Sequence, residues 1–357
     1  MGKILRRLGT ALLFLAVALC FAPTLIPPFL DRVYYKGPPS GHFDGRRFFN
    51  PEDRAHPPRP VAPSRFFNRW ATGEGRVRWP ESVPVVTTRP PARVEGNRML
   101  VTWIGHATVL VQTAGLNILT DPIWSERASP FSFVGPKRVR APGVRFEDLP
   151  RIDLVLVSHN HYDHMDLPTL KRLWERDRPL VVTSLGNDSV MRRAGIAAAA
   201  LDWGGTRPLR PGAAVTVERV HHWGSRWGTD RNRALWSGFT VRLPGGNIFF
   251  AGDTGFGGGA WASEAAKDGP YRLAILPIGA YLPRDVMSGN HMDPDEAVDV
   301  FRRLGARTAL GVHWGTFQLT FEGVGDPPRR LRAALARSGI PPNRFVATEV
   351  GRAFEVP

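Results

Sequence analysis

The buried-type strand at residues 152–157 stops at Ser158 and is followed at once by His159, Asn160, His161, Tyr162, Asp163 and His164. A short buried-type strand that ends in three histidines and an aspartate sets four potential metal ligands at one sheet edge, where loops carry chemistry. Alternate residues of an extended segment share a face, so His159 and His161 can grip one ion. A tight turn after them lets Asp163 and His164 point at a second. A lone histidine is usually a satisfied surface or core residue, but this density of ligand types has no comparable structural use. The single cysteine, Cys20, lies in an apolar N-terminal run, so disulfides and thiolate ligation are excluded from the rest of the chain. Any metal is therefore held by His, Asp or Glu.

The same arrangement, a ligand type just after an apolar strand, recurs three times. His222 follows 215–220, Asp253 follows 248–252 and His313 follows 309–312. These seven groups suffice for two ions, and Asp253, with two carboxylate oxygens, is best suited to bridge them. His221 is the rival of His222, and spacing alone does not choose between them.

Around these positions the chain alternates strands and helices. Strands are expected at 100–104, 108–112, 117–120, 152–157, 180–183, 215–220, 237–243, 247–251, 273–276, 308–312 and from 345, and helices at 167–175, 188–194, 294–304 and 329–338. The third helix has the clearest start: Asp293 can cap it, Pro294 suits its first turn and Glu296 occupies the capping-box position. Interleaved elements with frequent hairpins predict an α/β fold with mixed sheets covered by helices rather than a doubly wound parallel sheet.

The His-x-His-x-Asp-His run with distant His, Asp and His resembles the metallo-β-lactamase superfamily. Trp103 to Val109, Thr120 to Ile123, Arg127 to Pro130, Gly135 to Arg138, Phe250 to Gly255, Pro277 to Tyr281, His291 to Val298 and His313 to Phe317 are similar, more narrowly, to the N-acylphosphatidylethanolamine-hydrolysing phospholipase D family. The superfamily resemblance implies a four-layer αβ/βα sandwich of two mixed β-sheets. The narrower one implies two zinc ions: His159, His161 and His222 on one, Asp163, His164 and His313 on the other, and Asp253 bridging. It prefers His222 because Trp223 follows it, and makes Asp121 an outer group that orients a ligand histidine. It further implies a phosphodiesterase in which a metal-bridging hydroxide attacks a glycerophospholipid, releasing phosphatidic acid and an N-acylethanolamine-like alcohol. Iron or manganese also suits a His/Asp set.

Other residues are read more simply. His291, just ahead of a helix, is a candidate to donate a proton or contact substrate, alongside Asp163. Tyr281 is a candidate for phosphate contact and His106 for an outer position at the metals. Metal spacing leaves open a hydrolase of the same scaffold acting on a lactone, cyclic phosphate or other ester or amide, a nuclease, or a non-enzymatic metal-binding module.

Lys+Arg at 47 against Asp+Glu at 32 gives net +15, but the bases are scattered and no nucleic-acid-binding motif accompanies them. The expected partners are a phospholipid substrate and a membrane surface, with no nucleic acid. Lys3, Arg6 and Arg7 precede an uncharged run at 8–30, expected to be a membrane anchor or signal segment at 1–30. Basic residues ahead of it imply translocation of the remainder to the periplasmic or extracytoplasmic side. Residues 31–98, rich in proline and arginine, are expected to form an extended arm, its paired aromatics at Phe48-Phe49 and Phe66-Phe67 pinning it to the globular body or contacting lipid. Residues 99–357 are expected to form the metallo-hydrolase domain.

Overall fold

The computed structural model describes residues 2, 7–18, 32–55 and 63–357. Much of the expected anchor, positions 19–30 and with them Cys20, lies outside the described residues. Among the described residues no helix is long and apolar enough to cross a membrane.

In chain order the elements are α1 (Pro51–Ala55), α2 (Pro63–Thr72), β1 (Met99–Gly105), β2 (Thr108–Thr113), β3 (Leu116–Thr120), β4 (Leu154–Val157), α3 (Leu167–Asp177), β5 (Leu180–Ser184), α4 (Asn187–Arg193), β6 (Ala199–Leu201), β7 (Thr206–Arg210), β8 (Ala213–Glu218), β9 (Gly238–Arg242), β10 (Asn247–Phe250), α5 (Ala260–Ala265), β11 (Tyr271–Pro277), α6 (Arg284–Met287), α7 (Pro294–Leu304), β12 (Thr308–Val312), α8 (Asp326–Arg337), β13 (Phe345–Val346) and β14 (Ala353–Glu355). They build two seven-stranded sheets, ordered β14-β1-β2-β3-β4-β5-β6 and β13-β12-β11-β10-β9-β8-β7. Each is mixed: β1, β2 and β3 are antiparallel and β3 to β6 parallel, while β10 to β13 are parallel and β7 to β10 antiparallel.

β4 shows why the layers stack as they do. Its alternate residues Leu154 and Leu156 join the core between the sheets, with Val215, Phe239 and Phe250 from the second sheet. Val155 and Val157 join a second cluster with Leu170 and Leu173 of α3 and Met191 of α4. A strand buried on both faces reads as a continuous apolar run, and a run of this kind requires cover on each side. On the far side, Trp261 of α5, Phe301 of α7 and Leu331 of α8 close the second sheet. The result is the αβ/βα sandwich.

α7 forms where its signals place it. The Asp293 carboxylate accepts from the backbone N–H groups of Asp295 and Glu296, and Glu296 Oε2 accepts from Asp293 N at 2.9 Å. The elements that sequence periodicity does not reveal are marginal ones. β7 is an exposed edge strand containing Pro208, β6 and β14 are three residues long, and α5 starts directly after three left-handed glycines at 257–259. The arm is not uniformly extended, since prolines at the first position of α1 and α2 start short helices rather than prevent them. Phe48 is buried in the main core, and Phe66 packs on Phe321 with ring centroids 5.4 Å apart.

One buried acid in this scaffold has a pH signature. Glu218, at the end of β8, is 7% exposed, and its Oε1 has no hydrogen-bond partner. Burial raises its carboxyl from 4.5 to about 7. The folded state therefore holds the proton more tightly than the unfolded chain, so this contribution to stability is complete below pH 4.5 and is lost as pH rises toward 7. Relative to Glu218→Gln, the parent is expected to lose on the order of 2–3 kcal/mol between pH 4.5 and 7.5 in denaturant titrations. Parallel pH profiles for the two proteins would contradict this.

Candidate metal centre

Every candidate ligand lies just beyond a strand end. Residues 159–164 follow β4, His222 follows β8, Asp253 follows β10 and His313 follows β12. Parallel pairing of β3 with β4, and of β10 through β12, brings these ends to one edge of the sandwich. The backbone is strained there: His106, Asp121 and His313 adopt φ of 54°, 31° and 62°, a left-handed region costly for residues with a Cβ.

The side chains converge in four overlapping groups, two of them built on Asp253: His159, His164 and Asp253, and His222, Asp253 and His291. His159, His161 and His222 bring ligand atoms within 4.8 Å of one another, as do Asp163, His164, His313 and His106. Asp253 joins them, because its Oδ2 lies 3.1 Å from both His164 Nε2 and His313 Nε2 and 3.8 Å from His222 Nε2. His291 Nδ1 is 4.0 Å from the same oxygen.

Outer contacts decide which ring nitrogen faces inward. Asp121 accepts from His164 Nδ1 at 2.6 Å, and also from the Ser158 backbone N–H and hydroxyl at 2.7 and 2.6 Å. The Ser158 hydroxyl, its proton committed to Asp121, accepts in turn from His159 Nδ1 at 2.9 Å. His222 Nδ1 donates to the Asn290 carbonyl at 2.9 Å. His159, His164 and His222 are thereby fixed with Nε2 toward the centre, the arrangement that outer partners impose on metal-binding imidazoles. One carboxylate, Asp121, orients two ligand rings, the second through Ser158.

The donor set fits divalent cations. His161 Nε2, His164 Nε2, His222 Nε2 and Asp253 Oδ1 are buried without hydrogen-bond partners, and His159 Nε2 faces His161 Nδ1 at 2.8 Å. Buried lone pairs turned toward one another are costly unless a proton or a cation lies between them. Burial drives His159 and His222 well below the usual histidine range and His161 to about 4, so all three are neutral at pH 7, the state that ligation of a cation requires. In the other group, burial opposes protonation of His164 and His313, but Asp253 and Asp163 outweigh it, taking His164 well above the usual value and His313 to about 9. Despite burial, His164 and its neighbours hold Asp163 and Asp253 ionised.

The two adjacent histidines separate cleanly. His221 turns away from the cluster, its Nε2 meeting Asp53 Oδ1 of α1 at 2.9 Å. His106 Nε2 meets Asp163 Oδ2 at 2.9 Å, against the cluster. Tyr281 has neighbours of its own. Ala280 is held by Glu322 through its backbone N–H at 2.6 Å, and the Tyr281 ring lies by Arg330 at 5.2 Å. Lys137 pairs with Glu126, while the Arg138 and Arg140 guanidiniums donate to backbone carbonyls. Sequence reasoning missed Ser158 and the Asn290 carbonyl. The serine directly before the motif was a readable signal, whereas a backbone acceptor leaves none.

Two mixed sheets covered by helices, with a His/Asp cluster at one edge, define a metallo-hydrolase of the metallo-β-lactamase fold. The model of the β-lactamase superfamily domain matches residues 116–314. The chain is 39% identical over 269 residues to N-acyl-phosphatidylethanolamine-hydrolyzing phospholipase D 1 of Caenorhabditis elegans, covering 72% of this chain and 76% of that one. It is 34% identical over 266 residues to the mitochondrial N-acyl-phosphatidylethanolamine-hydrolyzing phospholipase D of Saccharomyces cerevisiae, covering 72% of this chain and 56% of that one. Among solved structures, an isothiocyanate hydrolase from Delia radicum gut bacteria shares the fold at 20% identity with a TM-score of 0.57, covering 72% of this chain and 98% of that one. The chain belongs to the β-lactamase superfamily, in the branch that holds these phospholipase D relatives.

The geometry separates His221 from His222 experimentally. His222→Ala is expected to weaken metal binding by more than the roughly 10–100-fold typical of losing an outer partner. His221→Ala should keep the metal content of the parent and lose only about 1 kcal/mol of stability through the broken contact with Asp53. Elemental analysis with thermal melts checks both, and equal metal loss in the two variants would contradict the assignment.

Proposed function

We propose that this chain is a phosphodiesterase of the phospholipase D type that uses two divalent ions to cleave an N-acylated phosphatidylethanolamine into phosphatidic acid and an N-acylethanolamine. The observation that carries this reading is the paired ligand cluster about Asp253 in a chain so similar to the nematode phospholipase. His159, His161 and His222 would hold one ion, Asp163, His164 and His313 the other, and Asp253 both. Zinc is the preferred ion, and iron or manganese is compatible with a sulfur-free donor set. Such a pair supplies Lewis acidity, lowering the pKa of water and neutralising charge on a phosphoryl oxygen.

The remaining work falls to the chain itself. Asp121, Ser158 and the Asn290 carbonyl keep the ligand rings turned inward, so the donors need no reorganisation when substrate arrives. His106 Nε2 steadies Asp163 through Oδ2, the same oxygen that faces His164 and His313. His291 is buried, and burial takes it to about 4, so it is neutral at pH 7. A neutral imidazole with its Nδ1 unpartnered beside the cluster favours a hydrogen-bond contact to a substrate oxygen over proton donation. The basic flank and uncharged run at 8–30 support attachment to a membrane, with the catalytic body on the extracytoplasmic side.

The test is hydrolysis of N-acylated phosphatidylethanolamine in vesicles by the purified chain, with products identified by mass spectrometry. Activity is expected to fall to background after chelation, to return with added zinc, and to yield phosphatidic acid with an N-acylethanolamine. Activity indifferent to chelation, or diacylglycerol as the lipid product, would overturn the proposal.

A further inference from the structure

Beyond the helical residues 7–18, large apolar side chains exposed on the described surface are densest in one loop: Phe131 is 49% exposed, Phe133 78% and Val134 51%. The two phenyl rings lie 5.5 Å apart, packed on each other. The loop that carries them has a closed stem. Ala128 N donates to the Pro136 carbonyl at 3.0 Å, Arg138 N to the Glu126 carbonyl at 2.9 Å, and the Arg127 guanidinium to the Gly135 carbonyl at 2.7 Å. A braced stem that holds two phenylalanines and a valine in water leaves a hydration cost that an apolar phase would remove.

Three observations identify that phase. In sequence the stem carries Arg127, Lys137, Arg138 and Arg140 against the single acid Glu126; Lys137 pairs with Glu126 and the arginines donate to backbone carbonyls, which leaves a net positive charge at the base of the apolar tip. Cations below an apolar tip are the pattern of segments that sit in an anionic lipid interface. Next, Ser129 and Pro130 at the base of the loop line a cavity of about 340 Å³ together with Arg32 and Trp227. In sequence the uncharged run at 8–30 ends two residues before Arg32, which is one of the residues lining this cavity. Finally, Tyr162 and Met165, which flank Asp163 and His164, line the same cavity.

We infer that residues 131–134 are the element that inserts into the surface of a lipid bilayer, so that the face bearing the Tyr162–Met165 loop rests on the headgroup layer. This extends the lipid reading above and rests on it for the identity of the partner. The full chain in a Cys20→Ser background, carrying Phe133→Cys with a polarity-sensitive fluorophore, is reconstituted in phosphatidylcholine vesicles containing phosphatidylglycerol. A label at Ser338→Cys, at the exposed end of α8, is the control. The label at 133 is expected to shift to the blue and to be quenched by nitroxide-bearing acyl chains, while the control keeps its aqueous spectrum. A label at 133 as water-exposed as the control overturns the inference, whatever the hydrolytic activity. Insertion without hydrolysis supports the loop's role and removes the substrate reading instead. The Phe131→Ser/Phe133→Ser variant is expected to lower kcat/KM on vesicle-borne substrate roughly tenfold or more, and to leave a short-chain substrate dissolved as monomer unaffected. An equal loss on both substrates overturns the inference.

Discussion

The oxygen Oδ2 of Asp253 is where the two halves of the sandwich meet in chemical terms. It lies 3.1 Å from ring nitrogens supplied by the loop after β4 and by the residue after β12, one from each sheet. A carboxylate buried this deeply stays ionised only because imidazoles face it, and those imidazoles face it only because the sheets hold their strand ends at one edge. The left-handed backbone at His106, Asp121 and His313 shows that the rigid sheets impose this geometry against local preference. Fold and site are thus one constraint, since both the group of His159, His161 and His222 and the group of Asp163, His164 and His313 draw residues from the two sheets.

The convergence of the candidate donors was legible in the sequence because each follows a strand whose apolar run is unmistakable, and because ligand types are so dense at 159–164. The sheets were legible for the same reason: β4, β10 and β12 are buried on both faces and read as uninterrupted apolar segments. What escaped had weak or nonlocal signals. β7 is exposed and contains a proline, α5 hides behind three glycines, and Asn290 acts through a carbonyl that any residue would supply. The choice between His221 and His222 was open because two adjacent imidazoles differ only in what each meets in space. His221 meets Asp53, 168 positions earlier.

That contact is part of a wider role for the proline-rich segment ahead of β1. Asn50 donates to the His222 carbonyl at 3.0 Å and accepts from the Trp236 indole N–H at 3.1 Å, so the segment grips the strand end that presents His222. Farther on, Val77 N donates to the Phe321 carbonyl, Val83 N to that of Val139 and Val86 N to that of Val350. A segment with little periodicity of its own gains order by satisfying backbone groups of a body already built. Its dependence on distant partners explains why composition alone describes it so poorly.

The proposed chemistry requires a pair of cations sharing Asp253. Anomalous diffraction at the metal edge from crystals of the purified chain measures this directly. Two peaks, one among His159, His161 and His222 and the other among Asp163, His164 and His313, each within coordination distance of Asp253, are the predicted result. A single peak, or two that leave Asp253 without contact to either, would contradict it.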